Sequence, residues 1–158
     1  MTAKRAILLG GLTVGALDIL DAIVFWAFRG VGPQRILQSV AAGLLGRDAA
    51  VAGGWPTALL GLGLHFVIAT GVVATYYLVS RGLPFLVRYP IICGLLYGIV
   101  VFYVMQLVVL PLSLTSGKAG LPTGAPLING LLIHALGVGL PAALFTTRGR
   151  TGHWLGTG

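Results

Sequence analysis

The chain has 158 residues, of which 57% are hydrophobic and only 8% charged, with a formal charge of +7. A soluble domain carries about 25% charge, so this sequence cannot cover itself with a polar surface and reads as an integral membrane protein. Its ten bases are scattered over the gaps between apolar runs and form no stripe on one helix; this argues against nucleic-acid binding and for topology signals and contact with anionic lipid head groups.

The first apolar run, 6–28, follows Lys4 and Arg5. It is longer than the core of a signal peptide, contains two acids and lacks a small-residue cleavage site, so it reads as a retained helix. Within it, GALDILDAIVFW sets Asp18 and Asp21 three residues apart, and the only other acid is Asp48. A charged Asp at the centre of a membrane helix costs about 2.5–3.5 kcal/mol, so the pair demands partners or protonation. At i and i+3 the two share a helix face. Gly11, Val14, Gly15 and Phe25 extend that face, which is mostly small and suits protein rather than lipid.

The next segment, PQRILQSVAAGLLG at 33–46, opens on Pro33 and closes on Gly46, good start and stop signals. Ile36, Leu37, Val40, Ala41, Leu44 and Leu45 fall on one side at helical spacing, and Gln34, Arg35, Gln38 and Ser39 mainly on the other. Too short to span, it is expected as an amphipathic helix in the non-cytoplasmic interface, acting as a lid over the connection or as a gate or docking element.

Three further runs, 57–79, 91–112 and 127–145, reach the ~20 residues a bilayer needs. The connection SRGLPFLVRYP ends in Pro90, which suits a helix start, and SLTSGKAGLPTGAP reads as an irregular surface loop. Lys4, Arg5, Arg81, Arg88, Arg148 and Arg150 fall on one side of this topology, and Arg29, Arg35, Arg47 and Lys118 on the other. That balance favours cytoplasmic N- and C-termini. Cys93 is the only cysteine, so it forms no internal disulfide and no metal cluster. The expectation is a single all-α membrane domain over 1–158, with four transmembrane helices as two hairpins plus the interfacial helix.

An internal repeat supports the two hairpins. Helix two carries GLGLH, Gly61 to His65, and helix four GLLIH, Gly130 to His134. Helix one carries GLTVG, Gly11 to Gly15, and helix three GLLYG, Gly94 to Gly98. The two offsets differ by about the length of the 33–46 segment, so the alignment is self-consistent. The Gly-xxx-Gly pairs predict a close approach of helices one and three, or a self-contact across a homodimer.

Depth suggests partners for the polar residues. Asp21 and His65 both lie about 10–12 Å from the non-cytoplasmic end, which predicts an Asp21–His65 contact. Gln106 and His134 stand in the same relation in the second hairpin, with Asn129 nearer the surface. The glycine four residues before each histidine leaves space beside the imidazole. Isolated His, Asn and Gln commonly serve as interhelical glue worth about 1 kcal/mol. The same groups also fit a proton or solute pathway through Asp18, Asp21 and His65. A third reading is haem b ligation by His65 and His134, which would sit at similar depth on diagonal, parallel helices. Zinc would need further ligands where only carboxylates are available. No nucleophile–base–acid set, phosphate loop or cysteine pair suggests an enzyme.

QSVAAGLLG, LLGLGLHFVIATGVVATYYLVSRGLPFLVRYP, GLLYGIVVFYVMQLVVLPLS and INGLLIHALGVGLPAAL together resemble an uncharacterised family of small bacterial inner-membrane proteins with four predicted helices. The likeness covers about 34–148, with LPFLVR and VLPLS its more specific parts. It implies a four-helix membrane bundle in the bacterial inner membrane and carries over no activity, cofactor or catalytic residue. At Gln106 the family pattern has Asn, and either amide can bond between helices. The leading functional expectation is a non-catalytic accessory or packing protein without a cofactor. It would self-associate or sit beside a larger membrane complex. The alternatives are a small proton-linked permease and, second, the haem protein.

Overall fold

A computed structural model describes residues 1–115 and 120–155, and every regular element among them is helical. Lys118 lies outside the described residues. In chain order the helices are α1 (Ala3–Ala27), α2 (Pro33–Leu45), α3 (Arg47–Ala52), α4 (Gly54–Gly82), α5 (Phe85–Arg88), α6 (Pro90–Leu112) and α7 (Ala125–Thr151). Four of them, α1, α4, α6 and α7, are long and apolar enough to cross a membrane.

Local chemistry sets the boundaries. Thr2 caps α1 by accepting the Arg5 amide at 3.3 Å. Pro33, Pro90 and Pro126 sit in the first turns of α2, α6 and α7, where a missing N–H costs no hydrogen bond. Gly152 ends α7 at φ +82°, a left-handed conformation that favours glycine. α7 continues past Phe145 to Thr151, carrying Arg148 and Arg150 on helix rather than on a tail. The short helices α3 and α5 lie in stretches the sequence reads as connections.

The start of α1, the last turns of α4 and α7, and α5 meet at one end of the bundle, called here the terminal end, and bring Lys4, Arg5, Arg81, Arg88, Arg148 and Arg150 to it. Arg150 donates to the Ser80 carbonyl there and ties α7 to α4. α2 and α3 cover the opposite end. The outward faces between the two ends are apolar, with Leu12, Leu20, Val67, Leu96, Val100 and Leu132 all exposed.

Packing is uneven. α1 packs along α4 and α7, and α6 packs along α7. α1 and α6 do not pack along each other. The expected close approach of helices one and three through their glycines is therefore corrected. Gly11 instead meets Thr70 and Gly15 meets Phe66 and Ala69, all on α4. Gly94 and Gly98 meet the α7 backbone around Gly139 and His134. Each glycine pair finds a small or backbone surface on its own partner, and α7 fills the space between α1 and α6. A core of Val14, Ala69, Val73, Val101, Val138 and Ala142 joins the four long helices near mid-bundle. Tyr97 crosses from α6 to donate to the Val72 carbonyl of α4 at 2.8 Å.

α2 does more than lie on a surface. Its Leu37 joins Ile19 and Ala58 in a second core, and the Leu37 carbonyl presses against Gly61. Gln38, assigned by pattern mainly to the polar outer side, is buried. Its amide donates to the Gly54 carbonyl at 2.9 Å and the Val51 carbonyl at 3.3 Å. Val51 lies in the last turn of α3, where carbonyls have no partner within the helix, and an unpaired buried carbonyl is costly, so the amide is drawn inward; the Gly54 carbonyl it also meets accepts from Thr57 as well.

The long helices α6 and α7 each contain a wide turn. The backbone is π-helical at Met105–Val109 and at His134–Gly139. Each wide segment ends just before a proline, Pro111 or Pro141. The proline ring crowds the carbonyl four residues back and offers no N–H, and widening the preceding turn relieves both.

Candidate functional site

Because α1 and α6 do not pack along each other, a cleft of about 550 Å³ opens beside α7. Asp18, Asp21, Phe25 and Trp26 line it from α1, Phe102 and Gln106 from α6, and Asn129, Gly130 and His134 from α7. Trp26, Leu121 and Pro122 stand at its mouth, at the α2 end. Asp18 and His134 each lie nine residues inside that end of their helices, a depth of about 14 Å at 1.5 Å per residue. The mid-bundle core lies beyond them.

Five of the six polar residues singled out in the sequence thus line one cleft: Asp18, Asp21, Gln106, Asn129 and His134. The sixth, His65, does not line it. Its partnership also differs from expectation. His65 Nε2 donates to the Gly15 carbonyl at 2.9 Å and lies 4.0 Å from Asp18 Oδ2. Asp21 Oδ2 instead accepts a 2.7 Å bond from Asn129 Nδ2 on α7. The expected Asp21–His65 pair is replaced by Asp18 beside His65 and Asp21 bonded to Asn129. Residues three apart on a helix point about 60° away from each other, enough to aim Asp18 toward α4 and Asp21 toward α7. The side chain of Asp18 is 27% exposed and that of His65 only 12%, so the carboxylate faces the cleft with the imidazole behind it.

The two histidines are held differently. His134 Nδ1 donates back to the Gly130 carbonyl at 2.9 Å, and its ring meets Phe102 edge to face. That bond fixes the tautomer and leaves Nε2 as an acceptor in the cleft wall. His134 also begins the π segment of α7, and Gln106 lies within that of α6. Both proline-linked distortions therefore fall where polar side chains enter the cleft, a placement common to π segments at functional sites. The prolines gave a signal for these distortions that the sequence reading did not use. The six glycines named for packing all make close approaches: Gly11, Gly15, Gly94 and Gly98 as above, Gly61 to Leu37 and Gly130 to the Phe102 ring.

Electrostatically the cleft holds two carboxylates, and Arg29 stands outside it at the α1 terminus. Its guanidinium lies 4.0 Å from the Phe25 ring centre and donates to the Phe25 carbonyl. Among the described residues no group of three His, Cys, Asp or Glu side chains is placed to hold a metal ion. The polar lining of the cleft is two carboxylates, two side-chain amides and an imidazole.

No family model, curated protein or solved structure matches the chain. The roles of these residues rest on their own geometry.

Proposed function

We propose that this protein is a small membrane permease-type binding protein whose cleft admits protons or a small organic cation. The observation that supports it best is the convergence of Asp18, Asp21, Gln106, Asn129 and His134, from three helices, on one open cleft of about 550 Å³. Ligand sites typically occupy about 300–1,000 Å³. Polar groups used only as interhelical glue would be spent on one another; here the Asp18 side chain stays 27% exposed on the cleft wall. Asp21 and Asp18 supply the charge that attracts the cation, and Asn129 orients Asp21. The exposed Trp26 ring supplies a surface for an organic cation, while Phe102 is buried and Phe25 already carries Arg29 on its ring. His65 positions Asp18 from behind. The lining contains no nucleophile–base pair, and no catalytic step is proposed. In this reading the cleft opens away from the cytoplasm of a bacterial inner membrane, because the larger share of Lys and Arg lies at the terminal end.

Liposomes containing the purified protein are expected to carry protons or methylammonium. Asp21→Asn and Asp18→Asn should each lower that flux about tenfold, the effect of roughly 1.4 kcal/mol on a barrier, with thermal melting unchanged. Wild-type vesicles that carry neither probe, or a double variant with full flux, would sink the reading.

A second reading, the self-associating accessory bundle, draws support from the outer face of α4. Gly63 and Gly71 are exposed there, with open space where a side chain would stand. Small residues two turns apart allow close helix approach. Native mass spectrometry of wild type and Gly63→Leu/Gly71→Leu tests it, with dimer in the first and monomer in the second as the supporting pair. Haem ligation by both Nε2 atoms would require His65 to give up Gly15, and a Soret band in the purified protein is the test for that.

A further inference from the structure

A second cavity, of about 780 Å³, lies at the α2 end between the last turn of α1 and the helices α2 and α3. Its lining differs in kind from the acidic cleft. It contains two arginines, Arg35 from α2 and Arg47 from α3, together with Ser39 and Gln38 and the apolar Val31, Ile36 and Val51. Both arginines are exposed. Neither guanidinium makes a hydrogen bond, ion pair or ring contact among the described residues, although Asp48 is the neighbour of Arg47 in sequence. Other arginines are engaged: Arg29 on the Phe25 carbonyl and ring, Arg88 over Tyr89, Arg148 on the Gly152 carbonyl and Trp154, and Arg150 on Ser80. Gly32, the N-cap of α2, also lines the cavity. The positive end of that helix dipole therefore adds to the two guanidinium charges.

We infer that this cavity binds a phosphate group, and that the phosphate is the diester of an anionic phospholipid. Guanidinium forks match phosphate oxygens in pairs; the Ser39 hydroxyl donates to the Ile36 carbonyl, so the donors to the phosphate are the two arginines. The apolar wall of Val31, Ile36 and Val51 beside the arginines separates the lipid from a free ion. A free phosphate has nothing to place against that wall; the glycerol and first methylenes of a lipid do. The exposed Trp26 ring at the same level suits the head-group region. The site is independent of the acidic cleft and stands whether or not the cleft conducts.

The test is native mass spectrometry of the full chain in detergent, titrated with phosphatidylglycerol and, separately, phosphatidylcholine. Phosphatidylglycerol is expected to bind in preference. The Arg35→Gln/Arg47→Gln double variant should weaken it about ten- to thirtyfold, from the typical contribution of each base near an anionic head group. An Arg81→Gln/Arg88→Gln variant removes the same charge at the terminal end and should leave binding unchanged. Thermal melting of the Arg35→Gln/Arg47→Gln variant should match wild type, because neither guanidinium makes a hydrogen bond, ion pair or ring contact among the described residues. Equal losses in the two variants, or no preference for phosphatidylglycerol, would overturn the site. Displacement of the lipid by millimolar inorganic phosphate would overturn the lipid assignment in favour of the free ion.

Discussion

Asp18 and Asp21 explain each other's environment through helix rotation. Asp18 lies 4.0 Å from His65, whose Nε2 donates to the Gly15 carbonyl; Asp21 reaches 2.7 Å to Asn129. Asn129→Ala should therefore leave Asp21 without a donor and lower the thermal stability in detergent by about 1 kcal/mol, the usual scale for polar contacts between membrane helices. His65→Ala should shift Asp18 instead, and stability should respond without Asp21 being disturbed. A double substitution of Asn129 and His65 then tests independence: the two losses should add, since the bonds share no partner. Sequence put Asp21 and His65 level because it began helix two at 57; α4 begins at Gly54, so His65 lies eleven residues in, closer to the nine of Asp18 than to the six of Asp21. It could not assign their partners. Depth says nothing about rotation around the helix axis, and the 60° between Asp18 and Asp21 decides which neighbour each one meets.

At the scale of elements, glycine decides where backbones touch. Leu37 of α2 presses its carbonyl onto Gly61, and the His134 carbonyl of α7 lies against Gly98. Alanine at either position meets backbone, which cannot swing aside, and should cost about 1–3 kcal/mol. Gly63→Ala points into open space and should be neutral or raise stability by up to about 1 kcal/mol through helix propensity. Melting curves of the three variants separate the cases. If Gly61→Ala melts like wild type, α2 is not seated as described. The glycine spacing was legible as a packing signal, but its target was not. The same Gly-xxx-Gly face serves any small neighbouring surface, and α4 and α7 both present one. Gln38 was misplaced for a related reason. Periodicity sorts side chains by hydropathy, and Gln38 is buried because it reaches backbone carbonyls at the α3–α4 junction, which no pattern reveals.

For the whole molecule, four long apolar helices and the 33–45 helix followed directly from run length, proline and glycine. What the runs could not show is that α1 and α6 stand apart. That separation depends on which helices claim each other, and it alone turns five polar residues into the lining of one space. The proposed orientation is testable on the same scale. In a Cys93→Ser background, Asp48→Cys should react with a membrane-impermeant maleimide applied to intact cells, and Thr151→Cys should react only after the cells are opened. The opposite pattern would invert the bundle and turn the cleft toward the cytoplasm.

The cleft also reshapes the electrical thickness of the bundle. Asp18 lies about 14 Å in from the α2 end, and a bilayer core is about 30 Å thick. Water filling the cleft would carry the outside potential nearly to mid-membrane. The remaining voltage would then fall across the Val14–Val73–Val138 layer, at roughly twice the field of an unbroken bilayer. A cation resting beside Asp18 would have crossed little of the potential, and the final step past the valines would carry nearly all the voltage dependence.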